Sequence, residues 1–230
     1  VIAIGGGGFG RNGDCSEIEK YLLKQIKRSC PKICFIPTAT GDSDSYKADF
    51  YSAFSKLNCL VTHIDLFKRT KNLKKTILDQ DIIYVGGGNT KSMLAVWKEW
   101  GIDKILFNAY DNGVIMSGVS AGAICWFEKG ITDSWSEELK ILNCLGFIPG
   151  VCCPHYLEEK ERRPKVFEFI NTKKIKNCYG VDGGSAIHFI NGIHTRTIKF
   201  IAERNSYFLR LKNNEVFEMP LEDENIIGKL

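Results

Sequence analysis

Ser120 lies in "GVSAG" (118–122), a G-x-S-x-G pattern set between the apolar run "GVIM" and a helical stretch. A serine on a strand-turn-helix corner, flanked by small residues, has the nucleophile-elbow arrangement. The turn strains the serine backbone, so its neighbours must be small, and the N–H of Ala121 is offered to an oxyanion. A second strand end, "GGGN" (86–89), precedes another helix. Free backbone N–H groups at Gly87 and Gly88 suit an anion or the oxyanion of a tetrahedral intermediate. A nucleophilic serine needs a base. Of the four histidines, His63 falls inside a strand, and His188 and His194 fall in a hairpin. His155 instead follows an apolar run and Pro154, at a strand end, and is the expected base. An acid must then fix the imidazole tautomer. Asp182 in "YGVDGGS" is the first choice and Asp133 in "GITDSW" the second; the sequence leaves both open.

The elements that must hold these groups alternate. "VIAI" (1–4), "KICFIPTAT" (32–40), "LVTHIDLF" (60–67), "DIIYVGGGNT" (81–90) and "GVIMSGVS" (113–120) read as strands. Amphipathic helices are expected over 16–29, capped by Ser16, over 43–58, and on both sides of residue 100. Val- and Ile-rich strands alternating with helices predict an α/β fold, a mostly parallel sheet covered on both faces. After about residue 130 the texture becomes β-rich, with one helix near Pro164 and a hairpin signal at Asn191-Gly192. No linker or repeat interrupts the chain, so residues 1–230 are expected to form one domain with a β-rich C-terminal extension. In such sheets ligands gather at the C-terminal strand ends.

Composition narrows the function. With 44% apolar and 25% charged residues the 230-residue chain reads as an ordinary soluble protein. A formal charge of +4, with "FKRTKNLKK" and "NTKKIKN" read as solvated faces, speaks against nucleic acid. No apolar run has membrane-spanning length, and "VIAIGGGG" carries no signal-peptide pattern. The nine cysteines form no C-x-x-C pair and read as reduced, mostly buried thiols of a cytoplasmic protein. Gly5, Gly7 and Gly10 have dinucleotide-fingerprint spacing, but the second strand ends without the required acidic residue. A backbone that must pass close to a ligand or another loop is the expected reason for these glycines.

The segments "YVGGGNT", "SGVSAGA", "PHY" and "YGVDGGSA", in that order after a glycine-ended first strand, resemble peptidase family S51, the family of peptidase E and cyanophycinase. The resemblance spans essentially the whole chain. It implies a flavodoxin-like, class I glutamine amidotransferase-like sheet, with serine where the amidotransferases carry cysteine. It implies a serine hydrolase, an exopeptidase or dipeptidase on small, Asp-containing peptides, with no metal or cofactor. Ser120 matches the family nucleophile, His155 its base, Gly88 and Ala121 its oxyanion donors, and Asn89 a substrate-side residue. Family members carry an acidic residue in the last segment, as in "D-E-G-T-A"; here that position is Gly183, with Asp182 one place earlier. Adjacent strand residues point to opposite faces, so Asp182 and that acid do not aim alike. Arg11, Arg162, Arg163 and Arg196 are candidate cations for a substrate carboxylate.

Two rival readings follow. Gly183 suggests a binding protein without catalysis, holding a small anionic ligand at the glycine-rich strand ends. An amidotransferase-like domain would use Cys125, one helical turn from Ser120. A monomer and a homodimer fit the sequence equally.

Overall fold

The computed structural model describes residues 1–9, 17–221 and 223–225. Gly10, Arg11, Cys15 and Ser16 lie outside the described residues. The first half builds one sheet from β1 (Ile2–Ile4), β2 (Lys32–Ile36), β3 (Leu60–His63), β4 (Ile82–Val85) and β5 (Ile115–Val119). They pair in parallel in the order β1-β5-β4-β2-β3. β10 (Ser185–Ile190) and β11 (Ile193–Lys199) add to β1 as an antiparallel hairpin, and β14 (Asp223–Asn225) lies parallel on β11. The fold is therefore the mostly parallel α/β sheet expected, with part of the β-rich C-terminal region joined to its edge.

The remaining strands make a second, six-stranded sheet. β6 (Phe127–Thr132), β7 (Lys140–Asn143), β8 (Ile148–Pro154), β9 (Asn177–Val181), β12 (Ser206–Lys212) and β13 (Glu215–Pro220) run in the order β13-β12-β9-β8-β6-β7. β8 is parallel to both β6 and β9, so the C-terminal ends of β8 and β9 open at the same edge. One apolar cluster holds residues of both sheets, among them Val85, Met116, Phe127, Cys152, Val181 and Phe189.

Local sequence explains the helices. α1 (Glu17–Lys24) buries Ile18, Tyr21 and Leu22. α2 (Asp44–Phe54) starts at Ser43, whose hydroxyl accepts from Tyr46 N–H. α3 (Leu73–Leu78) occupies the basic stretch read as a solvated face; it is solvated, but folded, with Ile77 turned inward. α4 (Thr90–Trp100) is capped by the Asn89 side chain, which accepts from Ser92 N–H at 2.9 Å, and stops at Gly101 in the left-handed region. α5 (Ile102–Asp111) follows at once. α6 (Ala121–Ile124) is one turn beyond Ser120, and α7 (Arg162–Asn171) carries Pro164 in its first turn, as expected. The Asn191-Gly192 turn closes β10 and β11 with both residues at positive φ, 51° and 75°. No helix among the described residues is long and apolar enough to cross a membrane.

His188, on β10, is 7% exposed and bonds the Tyr21 hydroxyl through Nδ1 at 2.9 Å. Burial lowers its pKa from 6.5 to about 4, with neighbouring positive charge adding to the shift. The folded state therefore resists protonating an imidazole that the unfolded chain protonates readily. Stability from this group is complete above pH 6.5 and falls as the pH drops toward 4, by on the order of 3 kcal/mol. Urea unfolding at pH 7 and at pH 4.5 should show this loss in the wild type, and His188→Gln should remove much of it.

Candidate active site

Three strand ends of the first sheet meet two of the second. Ser120 follows β5 directly and takes φ 55°, ψ −108°, outside the usual region for a residue with a side chain. Its N–H donates to Ile4 O at 3.0 Å, and Ala123 N–H donates back to Ser120 O at 2.9 Å, so the corner is pinned on both sides. Two glycines let it form. A Cβ on Gly118 would lie 2.5 Å from Gly122 O and 2.6 Å from Val85 O, and one on Gly122 would collide with Val85 O. The G-x-S-x-G pattern is thus a steric requirement of passing this turn over β4.

His155 follows Pro154 at the end of β8, also at positive φ (51°), with its N–H on Gly5 O at 3.3 Å. Its Nε2 lies 2.9 Å from Ser120 Oγ. Its Nδ1 lies 2.8 Å from Oε2 of Glu158, three residues on. A carboxylate there accepts, which places the proton on Nδ1 and leaves Nε2 to accept from the serine hydroxyl. Both side chains are only about one-sixth exposed, 15% for His155 and 16% for Glu158. Glu158 was not among the acids expected from the sequence. Its only signal there was the spacing His-x-x-Glu in "HYLEE".

The two expected acids are engaged elsewhere. Asp182, 1% exposed, accepts from Leu157 N–H and Glu158 N–H through Oδ1, both at 3.1 Å, and from Arg204 through Oδ2 at 3.2 Å. It holds the backbone of the turn that carries Glu158 and makes no hydrogen bond to the imidazole among the described residues. Asp133 meets Arg162 at 3.3 Å. The expectation that one of them touches His155 is corrected to Glu158, because the turn after His155 reaches the imidazole before either strand-end carboxylate does.

The glycine run of β1 has its explanation here. A Cβ on Gly6 would sit 2.7 Å from His155 Cε1 and 2.8 Å from Nδ1. Gly6 therefore packs its backbone flat against the ring, the close approach to another loop expected of this run. At the end of β4, Gly88 has φ 135° and no room for a Cβ beside Ala39 O. Its neighbours are committed: Gly87 N–H donates to the Tyr46 hydroxyl and Asn89 N–H to Ala39 O. The Tyr46 phenol, pushed up to about 12 by burial, stays protonated. The N–H groups of Gly88 and Ala121 have no protein acceptor among the described residues. Both residues line one cleft of about 340 Å³ together with Ser120 and His155. Asn89 lines it too, its amide held on Ser134 O at 2.7 Å.

Arg162, Asp133 and Glu159 also line this cleft. The Arg162 guanidinium is 4% exposed and bonds Glu159 at 2.6 Å, Ile131 O at 3.2 Å and Asp133. Burial opposes its charge, but Cys153, Glu159 and Asp133 outweigh it and raise the pKa. Arg163 instead turns to Glu218, and Arg196 sits on β11 opposite His188. Cys125 is fully buried with its Sγ on Gly122 O, and burial raises its thiol well above the ordinary value, so it has no place in the cleft.

Asp182 and Asp133 differ in what their loss should cost. Asp182→Ala removes the acceptor of two part-buried N–H groups and the partner of Arg204, and should lower unfolding free energy by about 1–3 kcal/mol in urea titrations. Asp133 is 48% exposed, and Asp133→Ala should cost no more than about 1 kcal/mol. Equal losses would contradict the assignment of Asp182 as the anchor of the 155–159 turn.

The chain is 46% identical over 222 residues to the uncharacterized peptidase YgaJ of Bacillus subtilis, covering 96% of each chain. It is 27% identical to peptidase E of Haemophilus influenzae over 77% of this chain and 83% of that one. The crystal structure of a peptidase from an acI-B1 Actinobacterium superposes with a TM-score of 0.68 at 18% identity, over 96% of this chain and 93% of that one, which shows a shared fold. Residues 1–197 match peptidase family S51, and the chain belongs to that family.

Proposed function

We propose that this protein is a serine peptidase that removes residues from the amino end of small peptides, with Ser120 as nucleophile and His155 as base. The observation that carries the reading is the Ser120 hydroxyl, held on a strained corner 2.9 Å from an imidazole whose other nitrogen sits on a carboxylate. His155 Nε2 takes the hydroxyl proton as Ser120 Oγ attacks the scissile carbonyl. The oxyanion then accepts from the N–H groups of Gly88 and Ala121. Collapse of this intermediate breaks the C–N bond, and the proton on Nε2 passes to the leaving amine. Water enters by the same route, with His155 again as base, and releases the acyl group from Ser120.

The charged lining of the cleft supports a short substrate with a free amino terminus. Asp133 and Glu159 supply acceptors for an α-ammonium, and Asn89 lines the same cleft. Arg162 is the one candidate cation among the described arginines that reaches this cleft, and it serves a substrate carboxylate only through N–H groups left over from its three protein partners. The rival reading of a silent ligand-binding protein rested on Gly183, and it loses support because a carboxylate meets His155 from another position.

A panel of Asp-Xaa, neutral Xaa-Xaa and β-aspartyl dipeptides, each free and N-acetylated, tests the reading. Free dipeptides should be cleaved and acetylated ones spared, and Ser120→Ala should lower kcat by at least about 10³-fold. A fluorophosphonate should label Ser120 by mass spectrometry. Undiminished hydrolysis by purified Ser120→Ala would sink the proposal.

A further inference from the structure

We infer that Glu158 is the positioning residue for His155, and that Gly183 is glycine because the Glu158 carboxylate fills the space its side chain would take. The inference rests on the serine-peptidase reading and adds to it the source of the acid.

The argument starts from why residue 183 lacks a side chain. Glycine is needed where φ lies in the left-handed region, and Gly184, with φ 84°, is such a place. Gly183 is not among the glycines at positive φ, so no left-handed backbone requires a glycine there. What forbids a side chain is occupancy. A Cβ on Gly183 would fall inside the Glu158 carboxylate, with both oxygens and the carbon between them as its nearest neighbours. The same carboxylate lies 2.8 Å from His155 Nδ1 and 3.2 Å from where a Cβ on Gly6 would stand. Gly6 and Gly183, on two different strand-end loops, thus bound one slot that holds an imidazole and a carboxylate side by side.

The turn bearing Glu158 is built to deliver it there. His155 takes a positive φ, and Glu159 N–H closes back onto His155 O at 3.1 Å. Asp182 Oδ1 receives the N–H groups of Leu157 and Glu158, and Arg204 neutralises Asp182 from behind. The carboxylate next to Gly183 in sequence therefore acts on the backbone, while the one three residues beyond the histidine reaches the ring. Positions 158 and 183 compete for one volume, and only one of them can present an acid to Nδ1.

That exclusion predicts how an acid can be taken away and given back. Glu158→Gln and Glu158→Ala should lower both kcat and the rate at which a fluorophosphonate acylates Ser120, by about 10²–10⁴-fold, with KM nearly unchanged. Gly183→Ala should lower both rates by at least about tenfold with Glu158 intact, because the new methyl displaces a flexible carboxylate end and not backbone. Its melting temperature should stay within a few degrees of wild type, which separates displacement from unfolding. The double variants Glu158→Ala/Gly183→Asp and Glu158→Ala/Gly183→Glu supply the acid from the other side of the slot. At least one should exceed Glu158→Ala by about tenfold or more, a recovery that a merely structural Glu158 would not permit. Acylation of Glu158→Gln at the wild-type rate, or two folded double variants no faster than Glu158→Ala, overturns the inference and leaves Ser120 and His155 in their proposed roles. A wild-type Ser120 that takes no label removes the serine-peptidase reading, and this inference with it.

Discussion

An imidazole carried by one sheet meets a hydroxyl carried by the other at 2.9 Å, and every other feature of the site depends on the seam that fixes that distance. Ser120 belongs to the first sheet through β5, His155 to the second through β8. Backbone hydrogen bonds link the two at the strand ends: His155 N–H to Gly5 O and, from the loop between β9 and β10, Gly184 N–H to Gly6 O. Behind them lies the apolar cluster in which Phe127, Cys152 and Val181 of the second sheet pack with Val85 and Met116 of the first. A shift of one sheet against the other would lengthen the Ser120–His155 bond directly, so close packing of that cluster is part of the chemistry.

Two residues at the meeting point, Ser120 and His155, hold positive φ without being glycine. Each such conformation costs on the order of 1–3 kcal/mol and persists only where the surroundings leave no alternative. For Ser120 the constraint comes from Gly118 and Gly122, which let the corner lie directly on the β4 backbone. For His155 it comes from Gly6 against the ring face and Asp182 beneath the following turn. The glycines near the site therefore divide by cause. Gly88 and Gly184 answer to both backbone conformation and lack of room, whereas Gly6, Gly118, Gly122 and Gly183 answer only to what stands where a Cβ would be.

That division also explains how much the sequence could tell. The parallel strands, the helices between them, the Asn191-Gly192 hairpin and the serine corner were legible because each is written in residues adjacent along the chain. The second sheet was less so: β6 and β7 are short and carry Glu128, Lys129 and Lys140 among their apolar residues, and β8 is broken by Pro149 and Gly150. His155 was legible from its strand-end position, but its carboxylate partner was not. Strand-end reasoning favoured Asp182, since sites gather at strand ends. Asp182 is at the site, yet its oxygens meet backbone N–H groups and Arg204, and the acid that touches the ring comes from the turn after His155. Only the conjunction of His-x-x-Glu with a glycine at 183 carried the signal, and its meaning needs the two loops to be seen together.

The turn that begins at His155 does more than carry a base and an acid. Glu159, the next residue, bonds Arg162, and both line the cleft with Asp133. Within eight residues, 155–162, the chain thus supplies the imidazole, the carboxylate on Nδ1, and a charged wall of the cleft. Arg162 is also the first residue of α7 and reaches Ile131 O on β6, so the wall is tied to the second sheet's core. Charge placed at one end of this segment is mechanically continuous with the other: a change that repositions Arg162 moves Glu159, and with it the turn that holds Glu158 against the imidazole. On the proposed reading, substrate preference and catalytic alignment are coupled through a single loop, and a substitution made to alter one will be read in the other unless Asp182 keeps the 157–158 backbone in place.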